Sequence, residues 1–309
     1  MFNLRHYIIT KDIIFYEIIN SWLAYKYNSV KESTYFKYKY VIEKYLYPKL
    51  KNKTVKELLK YDFNSLISSF NNLDKTTVKM LVTVLKSVLT FAERKYDVDF
   101  KTDLIKFPKN TKKDLQIFND LEKQRLINYC YNDNSLKSIG ILMSLYTGMR
   151  IGELCALKWE NINLTEDTII VTKTLQRVYS NKSTYILIDS PKSNSSIRKI
   201  PINKKLHYLL YRLKILNNYD SQCYFLTGQK DKFIEPRNYQ YTFKQILQKI
   251  KLPIYNFHIL RHTFATDCIN INMDVKSLSK ILGHSNVNIT LNKYVHPSFE
   301  NTKIYLEKI

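Results

Sequence analysis

Three short runs, TIIVTKTLQRV (168–178), STYILID (183–189) and SIRKIPI (196–202), interrupt a chain whose other apolar residues follow a helical rhythm. Val, Ile and Thr are stiff at the β-carbon and suit a pleated surface, and polar turns separate the three runs. They predict a small three-stranded antiparallel sheet. Around it, apolar positions spaced three to four apart predict helices near 119–130 and 135–147 on one side and near 204–217, 236–250, 257–271, 275–282, 287–294 and 298–307 on the other.

The first third carries no strand signal. Residues 11–28 (KDIIFYEIINSWLAYKYN) put Ile14, Ile18, Trp22 and Tyr25 at helical spacing behind a candidate cap at Thr10. Further helices are expected at about 31–46, 55–59, 62–71 and 75–95, the last capped by Asp74. Residues 101–113 (KTDLIKFPKNTKK) then bring five lysines, one proline and no helical period, which reads as a basic linker with a boundary near Thr111. The expected fold is therefore mainly α: an N-terminal helical bundle (1–110), then a mixed α+β domain (111–309) holding the small sheet.

The chain has 49 Lys and Arg against 27 Asp and Glu, a net charge of +22. That exceeds what solubility requires and points to a polyanionic partner, nucleic acid first and a membrane surface second. The excess is spread, with 20 basic and 11 acidic residues in 1–111 against 29 and 16 beyond, so both domains would face the polyanion. Cys130, Cys155, Cys223 and Cys268 form no CxxC pair, so neither a zinc cluster nor a disulfide framework is expected, and a reducing interior fits. No apolar run approaches 18 residues and no cleavable leader is legible in MFNLRHYIITKDII, so a cytoplasmic protein without membrane attachment is expected. Tyr is abundant (25) and Gly scarce (5), a codon bias under which most tyrosines need no function and each retained glycine is informative.

Three of those glycines stand beside candidate cations. TGMRIGEL (147–154) sets Arg150 between Gly148 and Gly152 at a helix end, with Glu153 either orienting it or simply exposed. NFHILRHTFAT (256–266) puts His258 and Arg261 three apart, on one helix face; His262, one step round, is expected to be a hydrogen-bonded core histidine. KILGHSNVNITLNKY (280–294) ends a helix at Gly283, presents His284 and reaches Tyr294. Cleaving a phosphodiester without a metal requires such a set: an in-line nucleophile, forked cations around the phosphoryl oxygens and an acid for the leaving oxygen.

Together these segments resemble the tyrosine recombinase, or phage integrase, family, whose signature is Arg, Lys, His-x-x-Arg, His or Trp, then Tyr. Their order matches as Arg150, His258 with Arg261, His284 and Tyr294. The resemblance spans nearly the whole chain and is closest in wording to integrases of Gram-positive phages and conjugative transposons. With only about ten residues ahead of the first expected helix, a member without the extra N-terminal arm-binding domain is expected. It makes 1–110 a core-type DNA-binding domain and 111–309 the catalytic domain.

By that resemblance Tyr294 attacks the scissile phosphate to give a 3′-phosphotyrosine and a free 5′-hydroxyl, while Arg150, Arg261 and His284 hold the phosphoryl oxygens. His258 assists proton transfer at the tyrosine side. A lysine on the β-hairpin protonates the leaving oxygen: PKSNSSIRKIPI nominates Lys192, and Lys173 in VTKTL competes. No cofactor and no metal is implied. The implied partner is double-stranded DNA with a specific recombination site, bound by a homotetramer on two synapsed sites that trade C-terminal helices, with an accessory directionality factor where the outcome must be steered; 298–307 is the candidate for the traded helix, the alternative being a helix packed on its own domain. Relaxation of DNA in the manner of a type IB topoisomerase, or a catalytically idle DNA-binding regulator, are the competing readings.

Overall fold

The computed structural model describes residues 13–108, 115–180, 183–189, 197–295, 303, 306 and 307. The chain divides into two compact units, 1–113 with 178–185 and 114–177 with 186–309.

The N-terminal unit is built from α1 (Phe15–Tyr27), α2 (Glu32–Val41), α3 (Tyr47–Leu50), α4 (Val55–Leu59), α5 (Phe63–Ser68) and α6 (Lys75–Tyr96). A widened π turn, Ile42–Leu46, joins α2 to α3, next to Pro48, whose missing N–H cannot continue the ordinary ladder. α6 is the spine. Asp74 accepts from Thr76 N and Thr77 N at its start, and its buried stripe of Val78, Leu81, Val82, Leu85, Val88, Leu89 and Ala92 repeats every three to four residues. Phe15, Ile18, Ile19 and Trp22 of α1 share that core. The start of α1 has Ile14 rather than a polar cap, and Thr10 lies outside the described residues.

The second unit begins its described helices with α7 (Asp120–Asp133), α8 (Leu136–Thr147) and the short α9 (Ile151–Cys155). Strands β1 (Ile162–Asn163), β2 (Thr168–Val171), β3 (Thr174–Ser180), β4 (Ser183–Asp189) and β5 (Arg198–Pro201) follow, then α10 (Lys204–Asn217), α11 (Pro236–Lys249), α12 (His258–Asn270), α13 (Val275–Leu282) and α14 (Val287–Tyr294). A three-stranded antiparallel sheet is present, but its membership differs from the expectation. Its order is β1-β2-β5, with Ile169 opposite Ile200 and Val171 opposite Arg198, while β3 and β4 pair apart as a two-stranded sheet. The run 168–178 breaks at Thr172–Lys173: Ile169, Val171 and Ile200 turn into the core of the unit, and the chain then leaves on β3 and returns on β4 before closing on β2. An apolar/polar alternation marks strands without saying which of them pair.

α8 runs through the core, buried at Ile139, Ile141, Leu142, Met143 and Leu145, and α12 packs along it. That contact fixes the site, because the end of α8 carries Arg150 and the start of α12 carries His258, Arg261 and His262. Among the described residues no helix is long and apolar enough to cross a membrane.

Candidate active site

The loop between α8 and α9 is pinned before its arginine begins. Ser144 Oγ donates to Met149 O and Thr147 Oγ1 donates to Met143 O, both buried, so the backbone at 148–150 has one course. Arg150 N donates to Glu153 Oε2 and its guanidinium donates to Glu153 Oε1 and, at 3.3 Å, to Gly283 O. The Arg150 side chain stays about one-third exposed, 34%, which leaves one edge of its fork free for a ligand.

Glu153 is no surface residue. It is 3% exposed and grips a second arginine, Arg198 on β5, through both oxygens at 3.0 and 2.8 Å. Burial alone would raise the pKa of Glu153; Arg198, with help from Arg150, instead holds it down at about 2. Arg198 also donates from Nε to Ile281 O, so the carboxylate ties α9, β5 and the end of α13 together. Gly283 is where α13 stops, in the left-handed region at φ +63°, and a β-carbon there would press on the Arg198 side chain at 3.1 Å. Arg198 and its clamp on the histidine-bearing loop escaped the sequence reading, which treated SIRKIPI only as a strand.

α12 supplies the rest. Gln240 Oε1 accepts from Phe257 N at the first turn, which fixes where α12 begins. Arg261, 1% exposed, donates to Gly148 O at 2.8 Å and Leu282 O at 2.7 Å, and its Nη2 lies 2.9 Å from His284 Nε2. Burial and then Arg150 lower its pKa to about 9, still charged at neutral pH. An arginine donates only, so His284 Nε2 accepts, and the Nδ1 of that imidazole then donates to Thr290 Oγ1 at 2.8 Å. Tyr294 closes the cluster, 5% exposed, its ring parallel to His284 at 6.5 Å. Burial raises the phenol pKa, and the two arginines oppose that rise.

His262 meets the sequence expectation in part. It is hydrogen-bonded, its Nδ1 2.9 Å from the Tyr294 hydroxyl, but half-buried rather than in the core. The signal was available: 258 and 262 are four apart, hence on the same helix face as 261. The two imidazoles meet edge to face at 4.5 Å. Burial, with Lys293 and Arg261 beside it, brings His262 to about 4; burial, His262 and Arg261 bring His258 to about 3; burial and Arg261 bring His284 to about 4. All three are neutral at pH 7.

Of the lysine candidates, Lys192 lies outside the described residues, as does most of 298–307. Lys173 is exposed at the break between β2 and β3, and the next two residues abut α9: a β-carbon on Gly152 would stand 2.7 Å from both Leu175 O and Thr174 Oγ1. Among the described residues no group of His, Cys, Asp and Glu side chains is disposed to hold a metal ion.

Two arginines, three histidines and a tyrosine, drawn from α12, α14 and the ends of α8 and α13, thus converge on one small volume. The chain belongs to the Phage integrase family, which it matches over residues 116–301, and residues 14–68 match the family's N-terminal SAM-like domain. It is 30% identical over 200 residues to a tyrosine recombinase XerC-like protein of Caldanaerobacter subterraneus subsp. tengcongensis, covering 59% of this chain and 51% of that protein. An integrase of a Staphylococcus phage is 22% identical over 317 residues, covering 93% and 89%. In fold it resembles the Tn1549 transposon integrase solved with transposon right end DNA, with a TM-score of 0.78, 22% identity, and coverage of 96% of this chain and 99% of that one. The chain spans about half the length of several of the curated relatives it matches.

Proposed function

We propose that the protein is a site-specific tyrosine recombinase that cuts and rejoins double-stranded DNA through a 3′-phosphotyrosine on Tyr294. The observation that carries this reading is the buried Tyr294, its ring parallel to His284, in one cluster with a guanidinium that touches the same His284 and is itself locked to two backbone carbonyls. Such locking is preorganisation: the charge is already aimed when the phosphodiester arrives, and no reorganisation is left for the transition state. Arg150 offers its open edge to one phosphoryl oxygen, and Arg261 offers the donors its carbonyl contacts do not use. His284 can donate to phosphate only by releasing Arg261 and moving or gaining a proton, and a bound anion favours both. His258 stands beside His262 at the nucleophile's end of the site.

The leaving 5′-oxygen needs a proton. Lys192 is the lysine proposed to supply it, with Lys173, exposed just before the two residues packed on Gly152, as its competitor. Because the phosphotyrosine bond conserves the energy of the broken diester, rejoining needs no nucleotide. The relatives, a transposon integrase solved with transposon right end DNA and a phage integrase among them, support a DNA segment bounded by specific sites as the substrate. Residues 1–110 then serve as the core-binding domain and 111–309 as the catalytic one. A homotetramer on two synapsed sites, helped by a directionality factor, completes the proposal.

The test uses suicide substrates, duplexes nicked beside the cleavage position, tiled across the DNA that flanks the gene. The protein is expected to form a detergent-resistant adduct and Tyr294→Phe none, with equal DNA affinity. Exchange of strands between two sites separates a recombinase from a topoisomerase, which would relax a supercoiled circle and exchange nothing.

A further inference from the structure

We propose that His262 takes the phenolic proton of Tyr294 as the tyrosine attacks; the inference rests on the recombinase reading above. The one hydrogen-bonding partner of the phenol among the described residues is His262, whose Nδ1 lies 2.9 Å from the hydroxyl oxygen, and in this proposal the O–H donates to it. The separation is within hydrogen-bonding distance, the geometric requirement for a general base. His258, which the resemblance suggests for this end of the site, makes no hydrogen bond to the hydroxyl and instead packs its ring edge to face against His262.

The surroundings keep the imidazole available. Burial, Lys293 on α14 and Arg261 on α12 disfavour its charged form, so at neutral pH one ring nitrogen keeps a free lone pair, in this proposal Nδ1, the nitrogen facing the hydroxyl. His258, Arg261, Lys293 and Tyr294 are the titratable groups beside it, and none is an acid that could hold it protonated. A phosphodiester anion settling against Arg150 and Arg261 offsets their positive field and raises the proton affinity of His262 just as the phenol must lose its proton.

The step balances. A Tyr294 oxygen lone pair forms the bond to phosphorus, the O–H proton passes to His262 Nδ1, and the bond from phosphorus to the 5′-oxygen breaks, that oxygen taking a proton from the lysine. On rejoining, the 5′-hydroxyl attacks, its proton returns to the lysine, and the departing phenolate recovers its proton from His262. The same imidazole serves both directions.

The experiment measures adduct formation on a nicked duplex at saturating DNA for His262→Ala, His262→Asn and Tyr294→Phe, each with its DNA affinity. It is repeated with trifluorotyrosine, a more acidic phenol, installed at position 294. His262→Ala is expected to slow the adduct by ~10²–10⁴-fold with affinity unchanged. His262→Asn, which can accept the hydrogen bond but cannot take the proton, should be about as slow and carries the test if the alanine variant fails to bind. Trifluorotyrosine should restore most of the lost rate in either variant. A wild-type rate in His262→Asn would reduce His262 to a positioning residue and overturn the inference, as would a defect that the acidic phenol leaves in place. An adduct that survives Tyr294→Phe is a different failure, that of the recombinase reading itself.

Discussion

Both units lay cations over aromatic rings, as Lys158 over Tyr224 and Lys249 over Tyr129 do in the second, but among the described residues only the second unit buries any. In the N-terminal unit, lysines lie over aromatic rings at the surface: Lys26 over Trp22 and Tyr25, Lys44 over Tyr40 and Tyr45, Lys51 over Tyr16, and Lys53 over Tyr61, all at 5.1 to 5.7 Å. In the second unit the decisive cations are arginines sunk below the surface, Arg261 at 1% and Arg198 at 8% exposure, and fastened by carbonyl or carboxylate oxygens. An ammonium over a ring keeps its hydration and mobility, so it can follow a phosphate backbone and surrender its counterion. A guanidinium fixed at two or three points cannot follow anything, and can only define where a phosphate must sit. The first arrangement suits affinity, the second suits chemistry.

That division can be broken by experiment, and the largest effect is expected at the general acid. Lys192→Ala should slow cleavage by ~10²–10⁴-fold, and a substrate with a 5′-thio leaving group, which departs without a proton, should recover most of the loss. Rescue of Lys173→Ala instead would move the acid to that residue. Arg261→Lys keeps the charge and loses the fork, so adduct formation should fall by about 10²–10³-fold with little change in DNA affinity. If affinity falls in step with rate, the buried cations bind rather than catalyse.

Salt sharpens the comparison from the other side. With ~6–10 phosphate contacts, affinity should drop roughly a thousandfold between 50 and 200 mM salt. Replacing Lys26, Lys44, Lys51 and Lys53 together should flatten that dependence and leave the adduct rate at saturating DNA unchanged. A slope that does not move would deny the N-terminal lysines their role.

Stability offers a smaller test of the arginine clamp. Glu153→Gln leaves Arg198 buried without its counter-charge, a loss of about 3–5 kcal/mol at pH 7, read from urea unfolding. Because the native pKa of Glu153 is depressed to about 2, its contribution is complete above the ordinary carboxylate range and fades as pH falls from about 4.5 toward 2. The gap between wild type and Glu153→Gln should therefore close over that interval, and a gap independent of pH would mean that shape, not charge, is what the pair supplies.

These contrasts also explain what the sequence revealed. Helical rhythm and caps located α10 and the long α6, and Gly283 marked the end of α13, because those signals are local. Arg150, His258, Arg261, His284 and Tyr294 were legible as a set because their residue types and order are distinctive. Their partners were not. Arg198 meets Glu153 across 45 positions and Ile281 across 83, and no pattern within SIRKIPI announces either contact. The break at Thr172–Lys173 was hidden for a related reason: β2 pairs with β5 beyond an intervening hairpin, and side-chain alternation is blind to partner choice.

The most direct test of the account is to find which of the 25 tyrosines carries the DNA. The adduct trapped on a nicked duplex would be digested with nuclease and trypsin, and the nucleotide-bearing peptide sequenced by mass spectrometry. The account predicts the nucleotide remnant on Tyr294 alone, in the peptide that begins after Lys293. A remnant on any other tyrosine, or on a serine, would show that the cluster around Arg261 is not the site of cleavage.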